Sequence, residues 1–315
     1  MRKIVALVAL CVGSFATANE VVVPRVAVDG QPLGANVIRV IQALEYLGQP
    51  LPTEVSKTLA DAAKQRDSAA IQEILDQHVL FVVSLNPEVR VKVARGPAAA
   101  TLQQAGYKAH LVKVLNDSTV TRQLRIMSPQ AGPVYAGAAE AILKRQAQTE
   151  LRENENIDRA TDRFLELEIL GSQPMTPRLS GLAVEYAVAL IYCSESGKRE
   201  ATIGFDVGAG TQDIGFRGEL PVLFDVQRAS PVTLKVRDHD GAPTTARMTF
   251  RDEFGHVYPP QMKRLAPDFF FQPQIYRADG EVVLLPPGKF EVRYNRGPEY
   301  KDVSKTFVVE GEGEG

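Results

Sequence analysis

The stretch Phe205–Phe216, FDVGAGTQDIGF, carries the one spacing in this chain that could grip a phosphate. Asp206, Gly208, Gly210, Thr211 and Asp213 follow a D-x-G-x-G-T-x-D pattern. In such a hairpin, glycines let backbone N–H groups wrap phosphates while aspartate orients magnesium. Folds that use it need a second such loop and alternating strands and helices, which this sequence does not offer. A structural loop is therefore expected, with nucleotide binding through Asp206–Asp213 as the outside alternative. The four histidines, His78, His110, His239 and His256, stand singly. With no paired histidines and no histidine–cysteine cluster, a zinc site has no footing, and each is read as a surface or satisfied histidine. Asp238-His239-Asp240-Gly241 lacks the later bidentate acid of a calcium loop and reads as a hairpin turn. Cys193 ends the apolar run Leu182–Cys193 and reads as a buried small hydrophobe. No nucleophile elbow and no P-loop appear. The expectation is a chain with no catalytic residue, no metal ligand and no cofactor of its own.

The other unusual segment is KRLAPDFFFQPQIY, Lys263–Tyr276. Neighbouring side chains of an extended stretch point to opposite sides, so Phe269, Phe270 and Phe271 cannot all enter one core. Together with Tyr276 they form a candidate interdomain or docking surface. The plainer reading is an internal interface between two sandwiches; the sharper one is a docking face for another domain or ligand. The sequence contains no Trp, so recognition of a sugar would rest on Tyr and Phe.

What must position these residues is a mainly β chain. Its 315 residues exceed one ordinary small core, and 44% hydrophobic with 23% charged content is a globular composition. A net charge of −2 supplies no electrostatic case for nucleic acid or an anionic membrane. Arg2 and Lys3, the apolar run Ile4–Phe15 and the Ala16-Thr17-Ala18 step read as a signal peptide cleaved after Ala18. Secretion or periplasmic export is expected, with no membrane span after cleavage. Residues 19–78 read as a helical cap, from Val37, Ile41 and Leu44 at helical spacing, a second helix capped by Thr53, and a third with Ile71, Ile74 and Leu75. From Val79 the period becomes strand-like, predicting an antiparallel β-sandwich over 79–229 with a helical insertion near 138–156. A second, small sandwich is expected over 230–310, with Met248, Phe250, Phe290, Val292 and Tyr294 facing inward, then a frayed tail at 311–315.

Several segments together resemble the N-terminal region of exported metallohydrolases of the CehA/McbA family. They include Gln103–Val114, Ser128–Gly137, Leu151–Asn156, Arg163–Glu168, Gly197–Val226, Lys263–Gly280, Leu285–Phe290 and Arg296–Tyr300. Residues 230–309 are similar to a carboxypeptidase regulatory-like, transthyretin-like sandwich. The resemblance implies the non-catalytic accessory part of a hydrolase whose PHP-like catalytic domain lies beyond Gly315, and no metal ligand carries over to this chain. A downstream or separate hydrolase domain is then the expected partner. A free-standing extracellular binding or adhesion protein, using sandwich loops for a glycan or protein ligand, is the alternative.

Overall fold

In the computed structural model the described residues are 22–132, 163–208, 218–262, 264 and 267–311. The expected leader and the expected insertion near 138–156 lie outside them.

Three helices open the described chain: α1 (Gly30–Tyr46), α2 (Thr53–Gln65) and α3 (Ser68–Leu75), followed by a 3-10 turn at Asp76–His78. Asp29 caps α1 by accepting from the Gln31 N–H, and Asp67 caps α3 by accepting from Ala69 and Ala70. Thr53 does not cap α2: it is the first helical residue, and Pro52 stands at the cap without a side-chain bond. Proline has no N–H to lose, which makes it tolerable at a helix entrance. The first two helices approach closely because Gly30 and Gly34 lie against the chain at Arg66 and Ala63.

Among the described residues, nine strands follow in two sheets. They are β1 (Val79–Leu85), β2 (Val91–Arg95), β3 (Thr101–Gln103), β4 (Gly106–Asn116) and β5 (Arg125–Met127). The rest are β6 (Leu165–Ile169), β7 (Val184–Cys193), β8 (Gly197–Asp206) and β9 (Glu219–Gln227). One sheet has the order β2-β1-β4-β7-β6 and the other β3-β9-β8-β5. The mainly β architecture with its helical N-terminal segment is as expected, but the pairing is not purely antiparallel. β1 with β4, and β3 with β9, run parallel. The chain turns back from β1 as β2, crosses to the second sheet as β3, and returns on the inner edge of β1 as β4.

The five-stranded sheet is covered on both faces. From β7, Ala187, Ala189, Ile191 and Cys193 enter the core between the sheets, while Val184, Tyr186, Val188 and Leu190 pack under the helices. This double cover explains why β7 reads as an apolar run without alternation. Cys193 is fully buried, and burial pushes its thiol pKa up. Beneath the helices Lys113 is also buried: its Nζ donates to Asp76 Oδ2 at 2.8 Å, to the Pro24 carbonyl at 2.8 Å and to Gln72 Oε1 at 3.1 Å. The Tyr186 hydroxyl donates to the other Asp76 oxygen at 2.7 Å. All three ammonium protons thus have acceptors, the condition under which a buried charge is tolerable.

The terminal unit contains β10 (Ser230–Thr233), β11 (Thr245–Asp252), β12 (Val257–Tyr258) and β13 (Ile275–Ala278), then β14 (Val282–Leu285), β15 (Gly288–Asn295) and β16 (Val303–Val309). Its larger sheet has the order β12-β11-β15-β16, with β13 also on β11, and β10 pairs with β14. Met248, Phe250, Phe290 and Val292 meet Val283 and Leu285 in one small core. Asp238–Gly241 is a turn, closed by the Gly241 N–H on the Asp238 carbonyl, and the Asp238 carboxylate pairs with Arg296 and His239.

Candidate functional site

β1 begins only opposite Leu111, so residues 106–110 of β4 have no strand on that edge. Gln49, just beyond α1, takes the place of a strand there. Its Nε2 donates to the Tyr107 carbonyl at 2.9 Å, and its Oε1 accepts from the Ala109 N–H at 2.8 Å. Asn36 does the same for β7 where β6 has ended: Nδ2 donates to the Tyr186 carbonyl and Oδ1 accepts from the Tyr186 N–H. A primary amide carries a donor and an acceptor side by side, as a peptide edge does.

Beside the open edge of β4 lies a cavity of about 400 Å³, walled by all three units of the fold. The cap supplies Gln49, Pro52 and His78; the sandwich supplies Thr101, Lys108 and His110; the terminal unit supplies Phe254, His256 and Tyr258. Three of the four histidines therefore meet at one place. The reading of each as a surface or satisfied histidine fails for His110, which is 6% exposed and whose Nε2 has no hydrogen-bond partner. Burial, with Lys108 and Arg95 nearby, lowers its pKa to about 3, so the ring is neutral. Burial likewise lowers the His78 pKa. Lys108 donates from Nζ to the Thr101 hydroxyl, and burial lowers its pKa while Asp252 opposes the shift. Asp252 itself accepts from Tyr258 and pairs with His256 Nδ1 at 2.9 Å. The cavity therefore holds one amine with imidazole and amide groups, while the Asp252 carboxylate, engaged by His256 and Tyr258, is not among its lining residues. Among the described residues no group of three or more His, Cys, Asp or Glu is placed to hold a metal.

The sequence had one usable sign of this site. In an otherwise apolar strand, alternation puts Lys108 and His110 on one face, where polar side chains demand partners. His78 and His256 gave none, because the elements that carry them are joined to β4 only by tertiary packing.

Phe269, Phe270, Phe271 and Tyr276 are each about half exposed. Phe269 and Phe271 stack at 5.3 Å, Phe270 meets Phe271 edge-on, and Phe270 lies edge-on to Tyr46 of α1 at 6.5 Å. The contact across units is thus with the helical cap. Arg264 fixes this loop: its guanidinium donates to the carbonyls of Pro259, Pro260, Gln272, Pro273 and Gln274, and burial lowers its pKa to about 10. Of the phosphate-like loop, Asp206 accepts from the Gly208 N–H at 2.7 Å and lies 3.9 Å from Arg125. Gly210, Thr211 and Asp213 lie outside the described residues.

No family model matches the chain, and no curated protein matches it. Among solved structures, domains 4–9 of the surface layer protein SbsC align over 71% of this chain at 9% identity, with a TM-score of 0.24. Domains 1–6 of the same protein align over 71% at 9% identity, with a TM-score of 0.21. This chain spans 33% and 27% of those two chains. Likenesses at that level carry no functional argument. Among the described residues no helix is long and apolar enough to cross a membrane.

Proposed function

We propose that this chain is the non-catalytic accessory region of an exported, metallohydrolase-like protein, acting as a rigid support. The carrying observation is the keyed joint between the terminal unit and the cap. The Val257 N–H donates to the Gly48 carbonyl at 2.8 Å, and Gln261 Nε2 donates to the Tyr46 carbonyl at 3.1 Å. Units of one chain ordinarily move against each other unless their interface is extensive. Here partly buried polar contacts of defined geometry add to the apolar ones, which suits a part that must present surfaces at fixed spacing. The signal-like residues 1–18 support export, and the resemblance of the segments named above supports the link to a hydrolase. Amide ¹⁵N relaxation on the full chain tests this reading. One rotational correlation time shared by strands 79–227 and 230–309 is expected; independent tumbling of the terminal unit would overturn rigid support. Unaided hydrolysis of esters or phosphodiesters by metal-loaded protein would overturn the non-catalytic role.

A further inference from the structure

We propose that the junction cavity binds a neutral polyhydroxylated ligand of sugar size, with Lys108 and His110 engaging its hydroxyls and Phe254 covering its apolar face. The inference stands whether or not a hydrolase domain accompanies this chain. A volume of about 400 Å³ falls in the lower part of the range of small-molecule sites, about 300–1,000 Å³.

The ligand class follows from donors and acceptors. The hydrogen bond between His110 and the Thr101 backbone favours the protonated ring nitrogen, and Nε2 is the unpartnered one. Assigning the proton to Nδ1, toward the Thr101 backbone, leaves the unpartnered Nε2 as an acceptor. Lys108 presents the opposite: among the described residues Thr101 is its hydrogen-bond acceptor, which leaves ammonium protons to give. A carboxylate or phosphate would satisfy Lys108 but set its own lone pairs against His110. An ammonium ligand would satisfy His110 but face the charge of Lys108. A hydroxyl group accepts from one and donates to the other. Gln77, Gln103 and Gln227 also line the cavity and add groups with both capacities. Phe254 is 63% exposed at the cavity, with its ring 6.0 Å from that of His256, and offers a face for the C–H side of a sugar ring.

The histidine ring resonances of ¹³C-labelled full-length protein read this directly, since three of the four histidines line the cavity and the exposed His239 serves as an internal control. The probes are glucose, galactose, maltose and cellobiose, with glucuronate and inorganic phosphate as the anionic comparison. Saturable shifts of His110 and His256, but not His239, are expected for at least one neutral sugar, at a Kd of about 1–10 mM. Phe254→Ala should weaken that binding by about tenfold with an unchanged unfolding midpoint. His110→Gln should abolish the response of His256. No saturable shift with any neutral sugar overturns the proposal. So does glucuronate or phosphate binding about tenfold tighter than every sugar, which would make this an anion site. Binding unchanged in both variants would overturn the assignment to this cavity.

Discussion

His110 is a base whose protonation is opposed by its surroundings, and that has a measurable consequence at the residue scale. Its pKa falls from 6.5 to about 3 on folding, through burial first and the nearby cations second. Between those values the unfolded chain binds a proton that the folded chain refuses, so stability rises with pH across this window and is lost as the solution is acidified. Replacing His110 with Gln removes that dependence. From about pH 6.5 to about pH 4.5 the wild type should lose about 2 kcal/mol more than His110→Gln, as read from urea unfolding midpoints. Parallel profiles would mean that the folded imidazole titrates normally. The sequence showed this residue but not its situation. A lone histidine in AHLVKVL looks like any other until His78, Thr101 and His256 are brought to the same cavity by other elements. Lys113 was equally opaque: strand alternation puts it on a buried face, yet its acceptors Asp76, Gln72 and Pro24 all belong to the cap.

At the scale of elements, the apolar periodicity was easier to read than the partners. The first strand begins at Val79, where the period turned strand-like, and Ile71 and Leu75 are buried on α3 as their spacing required. Alternation fixes which face a residue occupies but not which strand lies alongside, so the parallel pairing of β1 with β4 had no signature. The helix contacts had a partial one. Gly30 and Gly34 are four apart on one face of α1, a spacing that lets a second chain approach closely. A Cβ built on Gly30 would stand 1.7 Å from the Arg66 carbonyl oxygen, whereas one on Gly34 would meet the Ala63 carbonyl at 3.1 Å. Backbone cannot yield as a side chain can. Gly30→Ala should therefore destabilise by about 1–3 kcal/mol through overpacking. Gly34→Ala should be near neutral, because about 1 kcal/mol of gained helix propensity offsets the tighter contact. Denaturant midpoints of the two variants check this, and the reverse ranking would show that α1 and α2 do not cross at Gly30.

For the whole molecule, the question is whether cap, sandwich and terminal unit unfold as one body. The residues that join them carry no sequence signal. Gln261 is one glutamine among many, and Gly48 reads only as a helix stop. Yet Gln261 is buried and reaches the carbonyls of both Tyr46 and Phe270, while Gly48 gives its carbonyl to Val257 and leaves room for the Gln261 amide. Pro260 fits against Gly106 of β4, which ties the same loop to the sandwich. Gln261→Ala removes the donor that the Tyr46 and Phe270 carbonyls share at a part-buried joint. Each abandoned group costs about 1–3 kcal/mol unless the joint opens to hydrate it. Opening is the cheaper route when a whole unit can swing away, so the loss should appear as lost cooperativity more than as a uniform fall in stability. Calorimetry of the wild type should give one endotherm. The variant should give two, the earlier one lying several degrees lower and belonging to 230–309. Two endotherms already present in the wild type would mean that the terminal unit is autonomous, and the junction cavity would then lack a fixed wall on that side.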